Sequence, residues 1–275
     1  MPKFCNSPDD ITIGADPEFF LFRDGEPVSA HDIVPGTKKH PQPLKDGVAV
    51  QADGTAVEFN IPICKTTDEF VSSLHSALRQ IRKIIPKKYE FKFTPTVEYN
   101  KEYFQKLPRI ATEIGCSMDY QAYHHGRRRS PPAPASVGSL CAGGGHLHIG
   151  WGEDLNTESP GHLFDCCELI KSVDTYFKHY EKFWDKDVRR KGLYGTLGAF
   201  RPKTYGVEYR GLSNAWLGYP ELWPWIFNAT KKIFKRLTEV NDATYPQEFS
   251  YYLSIEKTNE LFAKVTLPPM PKIKV

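Results

Sequence analysis

The chain lacks the signals that mark several common protein classes. No apolar run among its 275 residues approaches the length that crosses a bilayer, and the first residues contain no signal-peptide core. We therefore expect a cytoplasmic protein without a membrane partner. The formal net charge of +3 is too small to argue for nucleic acid by itself. The six cysteines show no C-x-x-C spacing, so we expect reduced thiols and neither a zinc knuckle nor a redox motif.

Familiar nucleotide-binding and catalytic signatures are missing as well. The sequence contains no Walker loop, dinucleotide fingerprint or nucleophile elbow. The three glycines at 143–145 do not make a P-loop, because no Lys-Ser/Thr pair follows them. Function must therefore be sought in residues that are distant along the chain.

The order of the predicted elements favours an α+β fold. Strands and helices do not alternate strictly, which argues for a mainly antiparallel sheet rather than a doubly wound one. Apolar patterning and turn residues predict strands at 11–22, 27–29, 48–63, 89–93 and 205–212, and helices at 66–85, 101–114, 159–177 and 220–240. The segments 32–46, 124–145 and 189–201 are predicted to be loops, and the first two are candidate lids.

What the sequence does contain is a repeated arrangement of polar pairs inside predicted strands. The pairs are Asp16 with Glu18, His146 with His148, and Glu208 with Arg210, and a single Glu58 lies in the apolar run 56–61. Residues at i and i+2 of a strand project from the same face. Charged groups on a face that normally packs on a core are costly, so several strands offering such groups predict a cation and phosphate site.

Each of these residues also has a plain structural interpretation. Asp16 and Glu18 are hard oxygen ligands suited to Mg²⁺ or Mn²⁺, or they belong to a strand face that meets water. Glu58 fits an exposed strand face, and Asp53 fits a hairpin turn. His146 and His148 fit one metal ligand and one nucleotide or substrate contact, or one structural and one exposed histidine.

The arginines leave similar alternatives open. Glu208 and Arg210 form a metal ligand beside a phosphate clamp that includes Arg201, Arg189 and Arg190, or they pair only with each other on a sheet surface. The run 127–129 is either a solvated loop tip or a device that draws in an anionic substrate, and Lys38, Lys39 and Lys45 leave the same two alternatives open. We do not expect nucleic acid to be a partner.

Taken together, these motifs resemble one enzyme family. Five stretches are similar to the COOH–NH2 ligases of the second type, the amidoligases of phages and bacteria. They are GADPEFF at 14–20, DGTAVEFNIP at 53–62, Gly115-Cys116 with Asp119, GGHLHIG at 144–150 and YGTLGAFRPKTYGVEYRGLSNAW at 194–216. These are relatives of glutamine synthetase and of the glutamate–cysteine ligases. The similarity covers roughly residues 11–240, which implies a catalytic domain at 1–240 and a C-terminal extension or tail at 241–275.

The resemblance implies a curved, mainly antiparallel sheet like the glutamine synthetase catalytic domain, with helices packed on its convex side and two Mg²⁺ (or Mn²⁺) ions and ATP on the other. One ion would take Glu18 and Glu58, helped by Asp53, and the second would take Asp16, His146 and Glu208. Arg210 and Arg201 would contact the γ-phosphoryl group. The further residues expected to bind ATP or substrate are His148, Asp53, Arg189, Arg190, Asn214 and Asp119.

The implied activity is ATP-dependent formation of an amide from a small-molecule or peptide carboxylate and an amine, through an acyl phosphate. If the chain is phage-encoded, it would act in the host cytoplasm. A small-molecule (guanidino-type) kinase of the same fold and an inactive nucleotide-binding scaffold are the alternatives. The sequence leaves the two substrates and the oligomeric state open.

Overall fold

A computed structural model of the chain describes residues 9–112, 119–128, 136–190, 193, 195–240 and 271. Within these residues the fold is mixed α and β. The strands are β1 (Thr12–Arg23), β2 (Glu26–Val28), β3 (Gln42–Pro43), β4 (Ala49–Asp53), β5 (Ala56–Asn60), β6 (Glu90–Lys92), β7 (Thr96–Glu98), β8 (Tyr120–Gln121), β9 (Arg127–Arg128), β10 (Ser136–Val137), β11 (Leu140–Ala142), β12 (Gly145–Gly150), β13 (Ala199–Lys203) and β14 (Gly206–Tyr209). The helices are α1 (Thr67–Ile84), α2 (Lys101–Lys106), α3 (Arg109–Thr112), α4 (Pro160–Glu181) and α5 (Leu222–Val240).

Eleven of the described strands form one large open sheet. Its order is β3-β4-β5-β1-β12-β14-β13-β8-β9, and β2 and β6 pair with the far end of β1. All pairings between these named strands are antiparallel. The prediction of an α+β fold with a mainly antiparallel sheet is confirmed.

The register of this sheet places polar residues of distant segments opposite each other. Asp16 faces His146 across β1 and β12, and Glu18 faces Glu58 across β1 and β5. Glu208 faces both His148 and Arg201. Directly opposed residues of an antiparallel pair lie on the same face. We call the face that carries these residues the site face.

The other face of the sheet packs against the three long helices. Its alternating residues, such as Phe19, Leu147 and Tyr209, share one buried core with residues of α1, α4 and α5. Full burial of one large apolar side chain contributes roughly 1.5–3 kcal/mol. The long helices cover only this apolar face of the sheet, so polar groups can occupy the site face.

Local signals in the sequence explain where the helices begin. Thr66 and Glu69 form a reciprocal capping box at the start of α1, and Ile85 caps its end just before Pro86. Ser159 accepts a hydrogen bond from the backbone N–H of His162, and Pro160 occupies the first turn of α4. These predicted helices are confirmed.

A small second layer covers part of the site face. Strands β10, β11 and β7 form a three-stranded sheet, and its residues Val97, Tyr99 and Cys141 pack in a separate cluster with Phe20 and Ala56. Phe20 lies two residues beyond Glu18, and Ala56 two residues before Glu58, so both point to the site face. This layer therefore forms a wall beside the polar residues.

Several loop predictions need correction. The segment 32–46 contains β3, and the described parts of 124–145 contain β9, β10 and β11, because ladders of two or three residues carry little local sequence signal. The residues 199–201 belong to β13 and not to a loop. Gly115, Cys116, Arg129, Tyr194 and the tail at 241–270 lie outside the described residues, so the domain boundary at 240 stays a prediction.

The helices of the described residues are too short or too polar to cross a membrane.

Candidate active site

The site face gathers two groups of metal-ligating side chains from five strands, and Asp53, for which the sequence also allowed a hairpin turn, is the last residue of β4. The first cluster consists of Glu18, Asp53 and Glu58, and the second consists of Asp16, His146 and Glu208. In each cluster the three ligand atoms lie within 4.8 Å of one another. The structure thus brings together the two predicted sets of ligands.

The first cluster is held by backbone groups and by one lysine. The backbone N–H of Gly144 donates to Glu18 Oε2 over 2.7 Å, and Lys38 Nζ lies 2.7 Å from Asp53 Oδ2. Glu58 Oε2 is buried and has no hydrogen-bond partner in the described part of the chain. A buried carboxylate oxygen without a partner is costly. A bound cation would satisfy it.

The charges of the first cluster also favour a bound cation. Burial, followed by the charges of Asp16, Asp53 and Glu18, raises the pKa of Glu58 well above its ordinary value. Three carboxylates with one lysine do not balance, and a divalent ion would remove the mutual repulsion. The residues of the first cluster fit a hard metal ion.

The second cluster is built from three different strands. His146 Nδ1 lies 3.5 Å from Asp16 Oδ1 and 3.8 Å from Glu208 Oε1. The imidazole is packed so closely on the preceding loop that a Cβ at Gly144 would lie 2.2 Å from its Nε2. Gly144, just before β12, therefore leaves room for the His146 ring, which is a more specific role than approach to a ligand.

Cations of the protein keep the second cluster ionised. Burial opposes the charge on Glu208, yet Arg210, His148 and Lys203 hold its pKa well below the ordinary value. Burial likewise opposes the charge on Asp16, and the adjacent His148 and His146 lower its pKa. These two carboxylates are anionic at neutral pH.

His148 links the second cluster to Tyr205. Its Nδ1 is hydrogen-bonded to the Tyr205 hydroxyl, and its Nε2 lies 2.9 Å from Asp16 Oδ1. Burial, the largest influence, lowers the pKa of His148, but the charge of Asp16, the hydrogen bond to Asp16 and the charge of Glu208 together outweigh it, and the net pKa is raised. Both ring nitrogens are engaged, so His148 orients Asp16, whereas the sequence interpretation made it a nucleotide or substrate contact.

Two arginines border Glu208 and are fixed by one carboxylate. Asp119 Oδ1 lies 2.9 Å from Arg210 Nε and 3.4 Å from Arg201 Nε. Arg210 also pairs with Glu208, and Arg201 Nη1 lies 3.8 Å from Glu208 Oε1. Asp119 was predicted to bind ATP or substrate, and here it holds both guanidinium groups beside the second cluster.

Three predicted binding residues lie apart from the clusters. Arg189 is half-exposed and pairs with Asp187. Arg190 is buried and donates to the carbonyl oxygens of Gly195, Gly211 and Leu212, so it supports the backbone next to Arg210. The side chain of Asn214 is fully buried in van der Waals contact with the glycine loop, since a Cβ at Gly143 would lie 2.6 Å from its Nδ2.

Sequence reasoning missed Lys203 and Tyr205, and it left Lys38 undecided. Lys203 Nζ lies 2.7 Å from Glu208 Oε2. The alternation of Arg201 and Lys203 in one strand was a signal that could have found it. The position of Lys38 in a Pro- and Gly-rich segment gave no such signal.

A cavity in the described part of the protein does not coincide with these clusters. It has a volume of about 620 Å³ and is lined by the end of α4, by residues 185–188, by Arg190 and by residues 195–197. Arg190 is the one predicted site residue in its lining. We place the chemistry at the clusters, where ionisable groups converge, rather than at this cavity.

No family model matches the chain, and a search of curated proteins finds no significant match. The function is therefore inferred from the geometry of the site.

Proposed function

We propose that this protein is an ATP-dependent carboxylate–amine ligase that requires Mg²⁺ or Mn²⁺. The single observation that carries the proposal is the convergence of two clusters of ligands and four basic side chains on one open face of an antiparallel sheet. In this proposal the site face is the concave side of a glutamine synthetase-like sheet.

The ligand types support a pair of hard cations. Five carboxylates and one imidazole make up the clusters, and oxygen-rich sets of this kind suit Mg²⁺ and Mn²⁺ better than soft metals. Glu18, Asp53 and Glu58 would hold one ion, and Asp16, His146 and Glu208 the other. When bound, the ions would neutralise charge on the phosphates of ATP.

The arginines supply what phosphoryl transfer needs from the protein. Arg201 and Arg210 are fixed by Asp119, so their planar donor groups are oriented before the substrate arrives. Donors of this type stabilise the charge that develops on the transferring group. They are the candidate catalytic residues.

The reaction then proceeds in two steps. A carboxylate oxygen of the substrate attacks the γ-phosphorus of ATP, the bond to the β-γ bridging oxygen breaks, and ADP leaves with the formation of an acyl phosphate. A neutral amine next attacks the acyl carbon, and the C–O bond breaks to release phosphate and a proton. The product is an amide. Water must be kept from the acyl phosphate meanwhile, and the small layer around Phe20 and Tyr99 covers one side of the site.

A mass-spectrometric assay tests this function. The protein is incubated with ATP, Mg²⁺ and panels of carboxylates and amines, and hydroxylamine is added in parallel to trap an acyl phosphate as a hydroxamate. We expect amine-dependent ADP release with loss of water from the joined substrates. A stable phosphorylated product without an amide would identify a kinase instead, and ATP binding without turnover would identify a scaffold.

Variants of the ligands complete the test. Glu18→Ala and Glu208→Ala should each abolish amine-dependent ADP release, because each removes a ligand from one cluster. Circular dichroism provides the control for folding. Turnover like that of the wild type in either variant would refute the assignment.

A further inference from the structure

Each cluster is capped by one lysine. Lys38 Nζ lies 2.7 Å from Asp53 Oδ2 in the first cluster, and Lys203 Nζ lies 2.7 Å from Glu208 Oε2 in the second. The two lysine side chains are 53% and 32% exposed, whereas their carboxylate partners are 13% and 2% exposed. The ammonium groups therefore approach the buried carboxylates from the solvent side.

The backbone around Lys38 is anchored although its side chain is exposed. Lys38 lies in a turn closed by hydrogen bonds between Thr37 and His40, and Thr37 forms a bridge with Ala52 of β4. Gly36 has a φ of +85°, and a Cβ there would lie 2.5 Å from the backbone nitrogen of Gln42. The side chain of Lys38 can thus move while its Cα keeps its place beside the cluster.

The net charge of the site changes from negative to positive when two divalent ions bind. With every carboxyl counted as ionised and the histidines as neutral, six carboxylates (Asp16, Glu18, Asp53, Glu58, Asp119 and Glu208) face four basic side chains (Lys38, Arg201, Lys203 and Arg210), which leaves two negative charges in excess. Two divalent ions would leave two positive charges in excess. The site would then attract a polyanion such as a triphosphate.

We propose that Lys38 and Lys203 are exchangeable counter-ions, which neutralise the clusters until divalent ions bind and then bind the phosphate oxygens of the nucleotide. An ammonium and a divalent ion compete for the same carboxylate oxygens. A lysine released in this way carries a compact charge on a flexible stem, which suits contact with phosphate. This inference rests on the proposed function, since it assumes that the clusters hold metal beside a nucleotide.

The two arginines do not share this behaviour. Arg201 and Arg210 are both tied to Asp119 as well as to Glu208, so they keep their orientation when an ion reaches the second cluster. Within the described residues, Lys38 forms an ion pair with Asp53 and Lys203 with Glu208, and each lysine has this one carboxylate partner. The exchange is therefore assigned to the lysines.

Substitution of Lys38 tests the inference with two binding measurements. Mn²⁺ affinity is measured without nucleotide by electron paramagnetic resonance, and the affinity of a non-hydrolysable ATP analogue is then measured by calorimetry at saturating Mn²⁺. For Lys38→Gln we expect Mn²⁺ to bind about tenfold more tightly, because a competing cation is gone, and the analogue to bind about tenfold more weakly, because a charged hydrogen bond is lost. Lys203→Gln should behave in the same way.

Two variants serve as matched controls. Lys39→Gln removes the same charge from the neighbouring, exposed residue and should change neither affinity. Lys38→Arg keeps the charge and should retain the affinity for the analogue. Opposite effects of Lys38→Gln on the two ligands are the diagnostic result, because loss of a merely structural ion pair would not tighten metal binding.

The outcomes separate this inference from the proposed function. If wild-type protein binds Mn²⁺ and the analogue, but Lys38→Gln leaves metal affinity unchanged or lowers it, the counter-ion exchange is overturned and the proposed function stands. Unchanged affinity for the analogue in Lys38→Gln overturns it as well. If the wild-type protein binds neither Mn²⁺ nor the analogue, the proposed function itself fails.

Discussion

The two clusters of the site face solve the same problem of buried charge in opposite ways. In the first cluster, three carboxylates crowd around a single lysine, and the pKa of Glu58 is raised. In the second, an imidazole, Arg210 and Lys203 surround two carboxylates, and the pKa of Glu208 is lowered. The first cluster therefore depends on an added cation, whereas the second is already neutralised by the protein.

Neutral replacements of Glu58 and Glu208 give the sharpest test of this difference. Both Glu58→Gln and Glu208→Gln should lower ligase activity by at least about 1,000-fold, because each removes an anionic metal ligand. In metal-free protein, Glu208→Gln should lower the free energy of unfolding by about 3 kcal/mol, since it leaves buried cations without their partner. Glu58→Gln should raise it by about 1 kcal/mol by relieving repulsion.

Denaturation by urea in the presence of a chelator measures these free energies. Destabilisation by both substitutions, of similar size, would contradict the contrast between the clusters. Addition of Mg²⁺ should stabilise the wild-type protein more than either variant.

Asp174 offers a comparison with a buried carboxyl that has hydrogen bonds but lies in neither cluster. It accepts hydrogen bonds from the Tyr209 hydroxyl and the Gly198 N–H, and burial, its largest influence, raises its pKa to about 6. A carboxyl with a raised pKa in the folded state binds more protons there than in the unfolded state. The contribution of Asp174 to stability should therefore be greatest below the ordinary pKa of 3.8 and be lost as the pH rises through 6.

The substitution Asp174→Asn should remove this dependence. Relative to the variant, the wild-type protein should lose about 2 kcal/mol of unfolding free energy between pH 4 and pH 7. Urea titrations across this range provide the measurement. Parallel pH profiles for the two proteins would show that hydrogen bonds alone hold the Asp174 pKa near its ordinary value.

The substitution Tyr205→Phe tests whether hydrogen bonds arrange the second cluster before a metal binds. Loss of the hydroxyl frees one side of His148, so Asp16 should be held less firmly, and Mn²⁺ affinity should fall about tenfold. Competition between Mn²⁺ and Mg²⁺, followed by electron paramagnetic resonance, would report this change. An unaltered affinity would mean that His148 does not position Asp16 through Tyr205.

The smallest effect is expected at Arg189. Its side chain is half-exposed and bound to Asp187, away from both clusters. Arg189→Ala should change the steady-state rate less than about twofold, in keeping with the modest contribution of surface ion pairs. A large loss of activity would instead favour the prediction that Arg189 belongs to a phosphate clamp, although its observed partner is Asp187.

Much of the site could be predicted because strand alternation is visible in the sequence. The pairs around Pro17 and Leu147 reveal their common faces without any knowledge of the fold. The role of Arg190 could not be predicted in this way, since a buried guanidinium that binds carbonyl oxygens has the same local sequence as one that binds phosphate. The role of Lys38 stayed undecided because its partner Asp53 lies 15 residues further along the chain.

The sequence by itself determined which side chains share a strand face and where α1 and α4 begin. These are local properties, set by the period of two residues in a strand and by capping groups at helix ends. Only the tertiary structure decided that Glu18 lies opposite Glu58 and that Glu208 lies between His148 and Arg201. Strand order and register depend on packing between segments far apart in the chain, and a slip of one residue would have turned every ligand away from the site face.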